Sequence, residues 1–277
     1  MDTCLPPTPS GCEDRQPTVY LTVPRQHFKS FPKAIPAMVV PTSWWDGRRL
    51  ALPPTQDRGA GRRVVCDSGG FLAQARYGGF PYSVDELADW ALSWGAEWVA
   101  TPDVPCLRAS SQAEVDRRVH QTVELALEAI QTRPDATWYP VLQGLTHNDY
   151  TQCWELYQKA GITPKAVGSL LRPPRQVRTI LGTLAQVHPG CTYHLFGIRL
   201  PCLDYPEVRA TIASLDTASW CYIDEEQRQG IPEYRISSSV ARKLGYPNRQ
   251  AFERVLATTY YQKATRLLAR DRQQLLW

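Results

Sequence analysis

The chain has 277 residues, 43% of them hydrophobic, and 31 Lys and Arg against 27 Asp and Glu give a net charge of +4. That length suits one large core, and the mild positive charge is compatible with a polyanionic partner without demanding one. No stretch approaches the roughly 18 uninterrupted apolar residues of a membrane span, so a protein without membrane attachment, in the cytoplasm, is expected.

Residues 1–17 (MDTCLPPTPSGCEDRQP) hold Pro, Thr, Ser and charge but no apolar run, and read as a flexible leader before a domain over 18–277. Eight cysteines at 4, 12, 66, 106, 153, 191, 202 and 221 form no Cys-x-x-Cys pair and no Cys/His cluster. They read as free thiols, and no metal site is expected.

Short apolar or β-branched runs predict strands at Thr18–Val23, Ala37–Pro41, Val64–Cys66, Trp98–Thr101, Thr137–Leu142, Ala166–Gly168, Thr192–Phe196 and Ala213–Leu215. Helical periodicity lies between most of them. Ser83 with Glu86 and Ser111 with Glu114 have capping-box spacing, and predict helices running to about Trp94 and Ile130. Tyr150, Cys153, Trp154 and Tyr157 share a helical face over Asn148–Ala160, with Gly161 as a stop; Pro173–Val187 and Tyr205–Ala213 continue the series. Eight strand and helix repeats at short intervals favour a closed (β/α)8 barrel of the TIM type over an open parallel sheet. After Trp220 come charged turn residues (Asp224, Glu225, Glu226, Arg228) and a long terminal helix from Asn248 to Leu268, expected on the barrel's outside.

Several strands end in a polar or flexible residue: Asp67, Asp103, Gln143, Gly168 with Ser169, and Asp216. Barrel active sites are assembled at that end, so three carboxylates and an amide are expected at one mouth. Any one such Asp reads first as a helix cap or turn former; it is the set, with Gly69 and Gly70 after Asp67, that reads as a site. Two carboxylates at one mouth suit glycosidic-bond cleavage, one attacking the sugar carbon and one moving the leaving group's proton. A phosphate-binding barrel is the rival chemistry, but only Gly197 stands in the turn where it needs a glycine-rich stretch.

In order, Asp67 to Phe71 (DSGGF), Val141 to Gly144 (VLQG), Val167 to Leu170 (VGSL), His194 to Gly197 (HLFG) and Leu215 to Ser219 (LDTAS) resemble the tRNA-guanine transglycosylase superfamily. The resemblance spans roughly residues 37 to 220 and is strongest to the DpdA branch, whose members insert 7-deazaguanines into DNA. It implies Asp216 as the nucleophile on the sugar anomeric carbon and Asp67 as its acid/base partner. It implies further that Asp103, Gln143, Gly168 and Ser169 read the edge of the base, with Phe71 and Phe196 sandwiching it. Carboxylate and stacking are physically apt for a flipped purine with two adjacent N–H donors.

The chain departs from the tRNA-acting enzymes in lacking their cysteine-rich zinc motif after the nucleophile strand, since only Cys202 and Cys221 lie beyond residue 200. That favours DNA over tRNA as the partner, with a 7-deazaguanine such as the 7-cyano form as the small-molecule substrate and no cofactor. Ser169 stands where the superfamily usually has glycine. Arg172, Arg175, Arg178 and Arg199 read either as rimming the mouth and contacting phosphates or as a solvated basic face, and Trp44 and Trp45 read first as core or rim packing and second as a wedge into a base stack. Arg242, Lys243, Lys263, Arg266, Arg270 and Arg272 add a basic tail. The same exchange on tRNA, a catalytically silent nucleic-acid-binding barrel, and plain base excision are the alternatives; a homodimer or an accessory protein is left open.

Overall fold

A computed structural model describes residues 16–52, 61–221 and 237–270. Most of the leader, Asp224 to Arg228 and Arg272 lie outside the described residues. The strands are β1 (Thr18–Thr22), β2 (Ala37–Val39), β3 (Val64–Cys66), β4 (Val99–Ala100), β5 (Trp138–Tyr139), β6 (Val141–Leu142), β7 (Ala166–Val167), β8 (Tyr193–Leu195) and β9 (Ile212–Thr217). All pair in parallel in the order β5-β4-β3-β2-β1-β9-β8-β7-β6. The two ends of that ladder, β5 and β6, are separated in the chain only by Pro140 and were expected as one strand. Proline brings no N–H to a ladder, and the Pro140 carbonyl instead accepts from the Lys165 and Ala166 amides at 2.9 and 3.1 Å. The strand that bends at Pro140 therefore joins both ends, and the sheet comes round into the expected barrel.

Helices α1 (Gly70–Tyr77), α2 (Val84–Ser93), α3 (Gln112–Thr132), α4 (His147–Lys159), α5 (Pro174–Val187) and α6 (Pro206–Arg209) lie between the strands from β3 onward, and among the described residues only short 3-10 turns lie between β1, β2 and β3. The capping box at Ser83 is complete, but at Ser111 only half forms. The Glu114 carboxylate turns instead to the Ser110 amide and hydroxyl, each at 2.8 Å. An unforeseen box, Thr146 with Asp149, starts α4 one residue early. The helix expected over Tyr205–Ala213 is a single turn, because Ile212 and Ala213 are taken by β9.

Alternation along the strands sorts the core into two. Val19, Leu21, Val99, Leu195 and Leu215 face outward into the main cluster shared with the helices. Tyr20, Met38, Val65 and Trp98, with Tyr139 and Phe196, fill the barrel from inside, joined by Ala100, Val141 and Ala166. Two residues further along the inward columns come Thr22, Asp67, Gln143, Gly168, Phe196 and Asp216, so the period of two delivers them together to the C-terminal mouth.

Two helices follow the barrel: α7 (Ser238–Lys243) and α8 (Arg249–Leu268), the latter capped by Asn248, whose side chain accepts from the Ala251 amide at 2.8 Å. As expected, α8 lies on the outside, packed along β1 and the turn over Arg25–Ser30. Its Glu253, 1% exposed, is held by His27 Nδ1 at 2.7 Å, Arg249 Nε at 2.8 Å and the Ser30 hydroxyl. Among the described residues no helix is long and apolar enough to cross a membrane.

Candidate active site

Asp216 sits within β9 itself rather than after it, pointing into the barrel mouth with 5% of its surface exposed. Its Oδ1 accepts the Gly197 amide at 2.9 Å, and its Oδ2 accepts the Thr22 hydroxyl. Gly197 has φ +65°, a left-handed turn that aims this amide back at the strand end. Three donors converge if His194 is counted, whose Nε2 lies 3.4 Å from Asp216 Oδ1. The carboxylate is fixed in place by these groups.

Asp67 follows β3 and continues its ladder, its amide donating to the Val39 carbonyl at 3.0 Å. Burial pushes its carboxyl up to about 8, and the nearby charges of Asp103 and Asp216 push the same way against the pull of the Gly69 and Ser68 amides. A carboxyl raised this far favours its protonated form at neutral pH. Asp103 is raised less, to about 6, because hydrogen bonds from Ser68 and Gln143 to its charged form oppose its burial.

Those bonds belong to a buried chain. The Ser68 hydroxyl donates to Asp103 Oδ1 at 2.5 Å and Gln143 Nε2 to Oδ2 at 2.5 Å. Ser169 Oγ donates to Gln143 Oε1 at 2.6 Å and accepts the Cys106 amide at 3.0 Å. The amide of Gln143 is thereby fixed in orientation, and each Asp103 oxygen keeps a second lone pair for a ligand. Ser169 has φ +56°, the only positive value at a non-glycine among the described residues. This explains why glycine suits the position: the backbone is left-handed there, and serine is held in it by the two bonds its hydroxyl makes.

Two of the glycines are required by close packing of protein on protein. A Cβ on Gly70 would meet the Asp103 carbonyl at 2.4 Å, and one on Gly168 would meet Gln143 Nε2 at 2.2 Å.

Of the aromatic pair, Phe196 is partly buried in the barrel interior, whereas Phe71 is 40% exposed, with the Arg108 guanidinium 5.2 Å from its ring centre. The four arginines divide. Arg172 is turned inward, 7% exposed, and donates to the carbonyls of Ser169 (2.7 Å), Leu145 (2.5 Å) and Gly144 (3.0 Å). Its charge braces the loops after β6 and β7 and is spent there. Arg178 pairs with Glu207 at 2.6 Å, and Arg199 donates to the Arg172 carbonyl at 2.8 Å. Arg175 is exposed on the first turn of α5, beside Arg178 in an open groove with Tyr205 and Glu207. Trp44 is core, in line with its first reading: it is 4% exposed and packed edge-on against Phe28 and Trp94, while Trp45 lies beside Tyr82. Arg270 of the basic tail pairs with Asp204 at 3.1 Å.

Sequence reasoning assigned no role to Thr22, Ser68 or His194. Their signal was the column position two residues beyond Tyr20 for Thr22, the residue after Asp67 for Ser68, and the HLFG motif for His194.

Residues 36–241 match the family model described as DpdA, DeoxyPurine in DNA protein A. The chain belongs to the DpdA family. The match covers β2 to β9 and so contains every residue of the mouth just described except Thr22. No curated protein matches the chain. Among the described residues of this DpdA member, no group of three or more His, Cys, Asp or Glu side chains is placed to hold a metal ion.

Proposed function

We propose that this DpdA member exchanges guanine in DNA for a 7-deazaguanine, through a covalent link between Asp216 and the deoxyribose. The observation that carries the reading is the placing of two carboxylates at one mouth in contrasting surroundings. Asp216 is clamped by an amide and a hydroxyl, while burial and acidic neighbours raise the Asp67 carboxyl toward its protonated form. Family membership supplies the substrate class.

In the first half-reaction a carboxylate oxygen of Asp216 bonds to C1′ of an extruded deoxyguanosine as the C1′–N9 bond breaks, and the departing guanine takes up the proton of Asp67. In the second, the incoming deazaguanine gives its ring N–H proton back to Asp67 and attacks C1′ from the face guanine left, freeing Asp216. Two inversions retain configuration. Asp103 and Gln143 offer acceptors and a donor to the base edge, Gly168 and Ser169 close the pocket floor, and Phe71 and Phe196 flank the ring. Arg175 and Arg199, the exposed arginines least committed to carboxylates, contact phosphates, while Arg172 acts as the brace.

The test is incorporation of labelled guanine and labelled 7-cyano-7-deazaguanine into duplex DNA, single-stranded DNA and tRNA in parallel. Label in DNA alone supports the reading. Label in tRNA alone moves the substrate, and label in none removes the activity.

A further inference from the structure

His194 is fully buried on the inward face of β8, one step below Phe196 in its column. Its ring is boxed by Trp98 (centroids 4.7 Å apart), Phe196 (4.5 Å) and Tyr20 (6.2 Å), so it has one orientation. Nδ1 lies 2.9 Å from the Ser214 hydroxyl, two residues before Asp216 on β9. Nε2 makes no aligned hydrogen bond, yet it is wholly enclosed and lies within 3.4 Å of Asp216 Oδ1. A buried polar atom without a partner is costly, and this one faces the nucleophile.

Burial among aromatics lowers the imidazole's affinity for a second proton, against the opposing pull of Asp216, and so favours the neutral ring. A neutral ring carries its single proton on one nitrogen, and a lone pair aimed at a carboxylate would repel it. The proton therefore belongs on Nε2, with Nδ1 accepting from Ser214. Histidine at this position thus extends the set of donors around one oxygen of Asp216.

We infer that His194 is the positioning residue of Asp216, its Nε2–H drawn onto Oδ1 alongside the Gly197 amide, so that Oδ2 is presented to the sugar carbon. The inference rests on the proposed role of Asp216 as nucleophile. As the bond from Oδ2 to C1′ forms, Oδ1 becomes the carbonyl oxygen of the ester; the same two donors hold it in both states, so the carboxylate does not rotate during the exchange. His194 itself touches neither base nor sugar and moves no proton.

Two measurements test this. The first, on protein carrying isotope-labelled histidine nitrogens, needs no substrate: His194 is expected as the Nε2–H form, with its Nε2 resonance moved by Asp216→Asn. The second compares His194→Phe, which keeps an aromatic and removes the donor, with His194→Gln, whose amide nitrogen reaches close to the Nε2 position. His194→Phe is expected to lower kcat for exchange roughly tenfold to a hundredfold, with KM for the incoming base little changed, and His194→Gln to recover most of the loss. An Nδ1–H tautomer, full kcat in His194→Phe, or no recovery in His194→Gln overturns the proposal. Wild-type protein that exchanges no base refutes the proposed function, while the tautomer still decides the contact.

Discussion

Gly168→Ala is the smallest change that reaches the base pocket. A Cβ there would lie 2.2 Å from Gln143 Nε2 and 2.9 Å from its Cδ. The amide has nowhere to retreat: the side chain is 1% exposed, bonded to Asp103 at 2.5 Å and to Ser169 at 2.6 Å. Overpacking of a filled site costs about 1–3 kcal/mol. Giving up an amide to carboxylate bond costs about 1.5–3 kcal/mol. The two overlap, since displacing the amide relieves the clash, so a loss of about 2–4 kcal/mol is expected. Urea denaturation reads it as a lower midpoint at unchanged slope. In a Gln143→Ala background the methyl has space, and the same substitution should cost under about 1 kcal/mol, a coupling that a double-mutant cycle reports directly. In exchange assays Gly168→Ala should raise KM for the incoming base about tenfold or more, each tenfold being about 1.4 kcal/mol of lost binding. An equal stability cost in both backgrounds would refute the claim that Gly168 exists to admit Gln143.

The remaining predictions follow from charge. Asp67 is pushed up from 3.8 to about 8, so the folded protein keeps a proton that the unfolded chain releases. Asp67 therefore lowers stability progressively as pH rises from about 4 to about 8, and Asp67→Asn should flatten that decline in urea titrations run across the window. In exchange, kcat/KM should fall above pH of about 8 as Asp67 loses its proton, a limb that Asp67→Asn replaces with uniformly low activity. Arg172→Ala leaves three carbonyls without their donor and should cost about 2–4 kcal/mol of stability while leaving the salt dependence of DNA binding unchanged. Arg175→Ala should do the reverse, reducing the slope of log affinity against log salt by about 0.9 with stability intact. Asp103→Ala should chiefly raise KM for the base, measured against a smaller effect on kcat.

The barrel was legible because both of its signals are local. Alternation of apolar runs with capped helical stretches marked the repeats, and polar residues at strand ends marked the mouth. What the sequence hid was set by distant neighbours. Pro140 divides a strand so that its halves serve opposite ends of the ladder, and that depends on β4 and β7, not on the residues around it. Glu114 abandons its capping box for Ser110, a choice between two nearby partners that spacing does not settle. Arg172 and Arg175 look alike in the chain, and only the carbonyls of Gly144, Leu145 and Ser169 turn the first one inward. Trp44 and Trp45 are likewise neighbours in the chain, and only the packing of Phe28 and Trp94 around the first sets them apart. His194 was part of a recognised motif, but its tie to Asp216 runs between β8 and β9 and is visible only once the strands pair.

The most direct test of the central claim is capture of the covalent intermediate. Protein incubated with guanine-containing DNA and no incoming base, then denatured and digested, should yield a peptide carrying deoxyribose on Asp216 by mass spectrometry, and Asp216→Ala protein should yield none. An adduct on another residue, or undiminished base exchange by Asp216→Ala, would contradict the account.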